Sequence, residues 1–314
     1  REPYPWALRL LDLLTLEPNP TQPTEPKLMP HIHSIKLVSI HGGHSGQFCL
    51  HAQDTLEAVV LAYIGKGFAW VGITEHMPPP GDPFIYPEER AAGLNAADLS
   101  RRFGDYIGEG RALQEKYADR IRIFIGMETE TCTGSTALVA DLRARFKPDY
   151  VVGSLHHVND HPFDLSPEAY ARAAKSSGGM IPFYCRYFDE QYQMLQDVRP
   201  QVVGHFDIVR IFDPAYRQRL EHADVKQRVI RNLQLIRELG AILDFNVRSL
   251  SKGASEPYVT ESILKIALSL GIPAVPGDDA HGVDTVGLNV ERGIKILEGF
   301  GFDLNWAEPV RGDG

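Results

Sequence analysis

The chain has 314 residues, 43% of them hydrophobic, and a formal net charge of −9. That length can bury a full core as one large domain. The acidic balance and the lack of a long basic stripe exclude nucleic acid as a main partner, because a phosphate backbone demands clustered Lys and Arg.

In chain order, residues 1–34 read as an appendage and 35–314 as one body. WALRLLDLLTLE (6–17) has helical apolar spacing, but its ALRLLDLL run is short and carries Arg9 and Asp12, a poor signal-peptide core. PNPTQPTEPKLMP (18–30) is proline-rich and reads as extended or disordered. From residue 35 apolar strands alternate with amphipathic helices, the pattern of a parallel α/β fold. Strands are predicted at 35–40, 69–74, 121–127, 150–154, 201–204, 241–245 and 272–277. Helices are predicted at 54–67 and near 98–117, 135–146, 167–176, 186–197, 221–239, 259–270 and 286–299. In the first of these, Asp54 reads as the cap, Glu57 as its capping-box partner and Gly67 as the terminator. Seven strand-to-helix units predict a single-domain, distorted TIM-like (β/α)7 barrel, one unit short of the usual eight. An open doubly wound sheet is the alternative; it would gather its polar residues at a crevice instead of around a ring. No apolar run approaches membrane-spanning length. Cys49, Cys132 and Cys185 are odd in number and widely spaced, which points to a reducing compartment, the cytoplasm.

Each predicted strand runs into metal-ligand residue types: His41 and His44, Glu75 and His76, Glu128 and Glu130, His156 and His157, His205 and Asp207, Asn246, then Asp278, Asp279 and His281. Strands that deliver such groups to one end of a barrel build an active site there. Histidine with carboxylate suits zinc, manganese or iron, and such ions let an acidic chain bind a small phosphate ester. Side chains alternate along an extended segment, so Glu128 and Glu130 share a side while His156 and His157 point apart. Glu128 is chosen as a ligand bridging two ions. Glu130 reads as an orienting group or a solvated strand end. His156 is chosen as a ligand, with His157 facing substrate or supporting the site. His205 is a ligand candidate with Asp207 as its orienter, and Arg210 either holds phosphate or pairs with Asp207. Asp278 reads as a charge without catalytic use, His31 and His33 as a decoy HxH pair, His161 as loop surface, and His222 as exposed on a helix.

Together HSGQFCLHAQDTLE (44–57), GITEHMP (72–78), GMETE (126–130), VGSLHHV (152–158), VGHFDIVR (203–210), KGASEPY (252–258) and GDDAHGVDTVGLN (277–289) resemble the PHP (polymerase and histidinol phosphatase) family, on its histidinol-phosphatase branch. The resemblance spans residues 41–302 and implies a distorted (β/α)7 barrel with a trinuclear metal centre. It implies metal ligands at His44, His51, His76, Glu128, His156, His205, Asp279 and His281. The family opens with HxH, and Gly42 stands where the first histidine belongs. Either the glycines let the loop re-bend so that His41 reaches an ion, or one metal loses a ligand. Related enzymes carry Arg before Lys252; here it is Ser251, with Arg248 as a substitute.

The activity implied is hydrolysis of L-histidinol phosphate, a step of histidine biosynthesis. A bound ion lowers the pKa of water enough to give hydroxide near neutral pH. Glu128, His205 and Asp279 are the catalytic candidates, the last two as proton donors to the leaving alkoxide. Lys252, Arg210, Arg248 and His157 are the substrate-binding candidates. Two rival readings stand: a phosphoesterase acting on nucleotides or phosphotyrosine, and a metal-bearing barrel without turnover because of Gly42. The oligomeric state is not legible.

Overall fold

The computed structural model describes residues 36–309, so the proline-rich appendage and the His31/His33 pair lie outside the described residues. The strands are β1 (Val38–Ser39), β2 (Trp70–Ile73), β3 (Arg122–Glu128), β4 (Tyr150–Gly153), a small antiparallel pair β5 (His157–Val158) and β6 (His161–Pro162), then β7 (Val202–Val203), β8 (Ile242–Asn246) and β9 (Ala274–Gly277). Seven of them form one parallel sheet in the order β1-β2-β3-β4-β7-β8-β9. Ile40 N donates to Pro276 O at 2.9 Å and Asp279 N to His41 O at 2.8 Å. Those two bonds carry β9 onto β1, so the sheet closes into a ring and the open doubly wound alternative falls.

The period of two along each strand sorts side chains onto two faces. Val38, Ile40, Trp70, Phe124, Tyr150, Val152, Val202, Ile242 and Val275 form one cluster, and their strand neighbours pack in a second, larger one with the helices. The smaller cluster fills the ring: the Tyr150 hydroxyl, on β4, crosses it to donate to Ile40 O beyond β1. Outside the ring, helix Ala96–Lys116 docks by burying Phe103, Tyr106 and Leu113. Each such side chain contributes about 1.5–3 kcal/mol by leaving water.

The seam has its own fastener. Asp278, just past β9, accepts from Ser39 Oγ on β1, from Tyr63 OH (2.8 and 2.9 Å) and from Gly287 N. The charge read as without catalytic use has a structural one, as a buried tie across the closure.

The eight expected helices are present, with ends displaced by a few residues. The largest shift is at Met180–Val198, which begins six residues before the expected 186. The first helix, Leu56–Gly65, is capped by Thr55, whose side chain accepts from Ala58 N, and not by Asp54. Asp54 accepts from Val283 N at 2.8 Å instead. The β5–β6 pair and short helices at Pro87–Ala91, Tyr216–Leu220 and Arg248–Ser251 were not expected.

Candidate metal centre

β3 delivers the central group. Beyond β2, Glu128 N donates to Glu75 O (3.0 Å) and Met77 N to Glu128 O (2.8 Å), which lays Glu75 and His76 beside Glu128. Five imidazoles then surround the Glu128 carboxylate: His205 Nε2 at 2.9 Å, His41 Nε2 at 3.3 Å, His76 Nδ1 at 3.3 Å, His156 Nε2 at 3.6 Å and His44 Nε2 at 3.8 Å. They come from the ends of β1, β2, β4 and β7. Asp279 Oδ1, past β9, stands 3.5 Å from His44 Nε2.

The glycines explain how β1 supplies two histidines. A Cβ on Gly42 would lie 2.2 Å from Gly72 O, and one on Gly43 would lie 2.3 Å from Val59 Cγ1. The backbone presses so closely on β2 that no side chain fits at 42, and His41 and His44 enter the centre from either side of the gap. Of the two outcomes open from the sequence, the loop re-bends and His41 reaches the cluster. Two site residues adopt left-handed backbone, His205 at φ +21° and Asp279 at φ +47°, the kind of local strain that surrounding structure must hold in place.

Supporting carboxylates fix the rings. His41 Nδ1 donates to Asp244 Oδ2 at 2.8 Å, which leaves Nε2 as the lone-pair donor facing Glu128. Gly277 makes room for Asp244, since a Cβ there would lie 2.0 Å from its Oδ1. Glu75 accepts from Ser45 N and Oγ, both at 2.8 Å, and its other oxygen lies 3.5 Å from His44 Nδ1. Glu130 is 4% exposed, so the solvated reading fails. Its Oε2 accepts from His156 Nδ1 (3.1 Å) and Tyr86 OH. Asp244 is a site residue the sequence reading missed, whereas Glu75 was named at its strand end and here supports His44. An acid inside an apolar strand such as AILDF is itself a signal, because burial forces it to pair.

The donor atoms fit divalent cations. Among the described residues four clusters have ligand atoms within 4.8 Å of one another: His41, Glu128 and His205; His41, His44 and Asp279; His76, Glu130 and His156; and His44, Cys49, His76 and His281. His41 Nε2, both ring nitrogens of His44 and His76, and Glu130 Oε1 are buried with no hydrogen-bond partner. His76 Nδ1 and Glu130 Oε1 lie 2.8 Å apart, yet out of hydrogen-bond alignment. Buried lone pairs turned on one another are costly alone and are satisfied by a shared cation.

The electrostatics agree. Burial opposes charge on Glu128, but His41, His76 and His205 hold its carboxyl well below the usual range. Burial also pulls His156 down, and Glu130 and Glu128 overcome it, pushing the ring up to about 10. His51 differs: burial, with His76 and His44 nearby, lowers it to about 3. Its nitrogens face Cys49 Sγ (3.2 Å) and Glu88 (3.4 Å), and its ring lies 5.0 Å from that of His281 and 5.3 Å from that of His76.

A cavity of ≈ 520 Å³ opens over the centre, with Glu128, His156, His205, Asp279 and His281 in its wall. Arg248 lines it and donates to Asp279 Oδ1 (2.9 Å) and His281 Nε2 (3.0 Å). Lys252 and Arg172 line it too, and Arg172 had no place in the sequence reading. Arg210 does not. It donates to Asp207 (3.1 Å) and to the carbonyls of Glu256 and Pro257, and stacks on Tyr216 and Tyr258. Asp207 is occupied with Arg210 and Thr260 and does not orient His205. His157 lies off this cavity, with Nδ1 3.2 Å from Glu130 O. His161 and His222 are exposed, as expected, with His222 capping helix Ala223–Leu239. No helix among the described residues is long and apolar enough to cross a membrane.

The protein named "Probable histidinol-phosphatase" from Schizosaccharomyces pombe is 36% identical over 265 residues, covering 83% of this chain and 86% of that one. The histidinol-phosphatase of Saccharomyces cerevisiae is 31% identical over 291 residues, covering 82% and 87%. In fold, the chain matches the histidinol phosphate phosphatase of Lactococcus lactis, solved with zinc, L-histidinol and phosphate. That match has a TM-score of 0.67 at 20% identity and covers 86% of this chain and 95% of that one. The PHP domain model matches residues 42–248, and the chain belongs to the PHP family.

Proposed function

We propose that this chain hydrolyses L-histidinol phosphate to L-histidinol and phosphate at a centre that takes three divalent ions, from zinc, manganese or iron. The observation that carries the reading is the convergence of five histidines on Glu128 beneath a cavity lined by Arg172, Arg248 and Lys252. The names of the two yeast relatives, and the ligands of the Lactococcus lactis structure, support the choice of substrate. His41, His44, His76, Glu128, His156, His205, Asp279 and His281 would hold the ions, with Glu130 joining His76 and His156. Bound there, divalent ions supply Lewis acidity toward water and the phosphoryl oxygens.

The chain's own groups do the rest. Arg248 and Lys252 neutralise the phosphoryl oxygens as charge shifts in the transition state. Burial opposes charge on Asp279, but Arg248 and His41 hold it well below the usual carboxyl range, so it is ionised at neutral pH. Held that low it is a weak base, so its part beside the ions is to orient the attacking water through an accepted hydrogen bond. His205, with Nε2 committed to Glu128, is the less suited of the two candidates. Because Arg210 is consumed by Asp207 and the 256–257 carbonyls, it contributes packing and not phosphate binding. The reading carries with it a role in histidine biosynthesis and a cytoplasmic setting, in keeping with three free cysteines.

The test is phosphate release from L-histidinol phosphate, beside short nucleotides and phosphotyrosine, with metal content measured per chain. Glu128→Ala should lose activity by more than about 100-fold and lose bound metal with it. Normal turnover in that variant, or a preference for nucleotides in the parent, would overturn the reading. The barrel without turnover rested on a ligand missing at Gly42, and His41 Nε2 stands 3.3 Å from Glu128.

A further inference from the structure

The cavity wall carries one carboxylate that nothing so far explains. Glu128 and Asp279 face the histidines, and Glu88 lies 3.4 Å from His51. Asp164, on the segment between β6 and helix Pro167–Ser176, also lines the cavity, and its Oδ1 is buried with no hydrogen-bond partner. Its charge is felt by His156 in the cluster, by Tyr86 and Tyr258 in the wall, and by Lys252. An unpaired carboxylate in a phosphate cavity repels the phosphate and costs desolvation energy, unless the ligand also carries a cation.

We infer that Asp164 receives the ammonium group of an amino-alcohol phosphate and so selects that class of ester. The inference rests on the function proposed above and refines its substrate recognition. In such an ester the ammonium sits on the carbon next to the ester carbon, a few bonds from the phosphorus. A phosphate over the histidine ring would therefore bring the ammonium near a group whose charge reaches both His156 and Lys252. Esters without an amine meet only the repulsion, which rejects them. Asp164 is thus a specificity residue, distinct from the groups that act on phosphorus.

The test compares L-histidinol phosphate with its desamino analogue, 3-(imidazol-4-yl)propyl phosphate, on the metal-loaded protein. The parent should prefer the amine by roughly 10- to 100-fold in kcat/KM, the worth of one hydrogen bond to a charged group. In Asp164→Asn that ratio should collapse toward one, chiefly through KM for the amine, with metal content per chain unchanged. Equal loss on both esters, an unchanged ratio, or loss of metal would overturn the inference while leaving the phosphatase reading intact. A parent inert toward L-histidinol phosphate would sink both. If Asp164→Asn fails to fold, the parent's own ratio decides: no preference for the amine refutes the role.

Discussion

At the scale of single residues, the site depends on groups whose work is to aim other groups. Asp244 is fully buried, accepts from His41 Nδ1, and also accepts from His205 N and Asn246 Nδ2. Asp244→Asn would remove the charge that fixes the His41 tautomer while keeping the shape. Metal affinity should fall by roughly 10- to 100-fold, measured by chelator competition, with unfolding still cooperative. Unchanged affinity would show that His41 needs no orienter. Much of the site was legible in the sequence because histidines and Glu128 follow directly on apolar strands. Asp244 was not, because it lies within such a strand, and only the closed ring reveals that its position faces the metal-binding end. Asp207 was misread for the opposite reason. It stands two residues from His205, but Arg210, three residues on, donates to it at 3.1 Å, the pairing that the sequence left as an alternative.

At the scale of elements, the seven strands could be read from their apolar runs, since a buried parallel strand needs little else. The short helices and the β5–β6 pair carry too few residues for a period to emerge. What no pattern could indicate is the close approach of β1 to β2. Gly42 N donates to Gly72 O at 2.9 Å, and the missing Cβ at 42 makes that approach possible. Gly42→Ala should therefore displace β1 and cost roughly 1–3 kcal/mol, seen in denaturant unfolding, with metal occupancy reduced in the same protein. Stability equal to the parent would mean that the segment around His41 adapts freely.

At the scale of the whole molecule, closure of the ring decides whether the ligands meet at all. Two backbone bonds and the Asp278 tie join β9 to β1. Asp278→Ala would strand the buried Tyr63 OH and remove the acceptor of the half-buried Gly287 N, at a cost of about 1–3 kcal/mol. Denaturant unfolding measures it, and a loss below about 0.5 kcal/mol would refute the tie. Asp278 and Asp279 are consecutive, one locked into the seam and the other turned to the cavity by a left-handed backbone. Slipping this turn by a single position would exchange their duties, so insertions and deletions are barred here. Anyone wishing to widen the range of esters accepted must leave the β9 turn alone and diversify Asp164, Leu165 and Arg172, whose side chains line the opening.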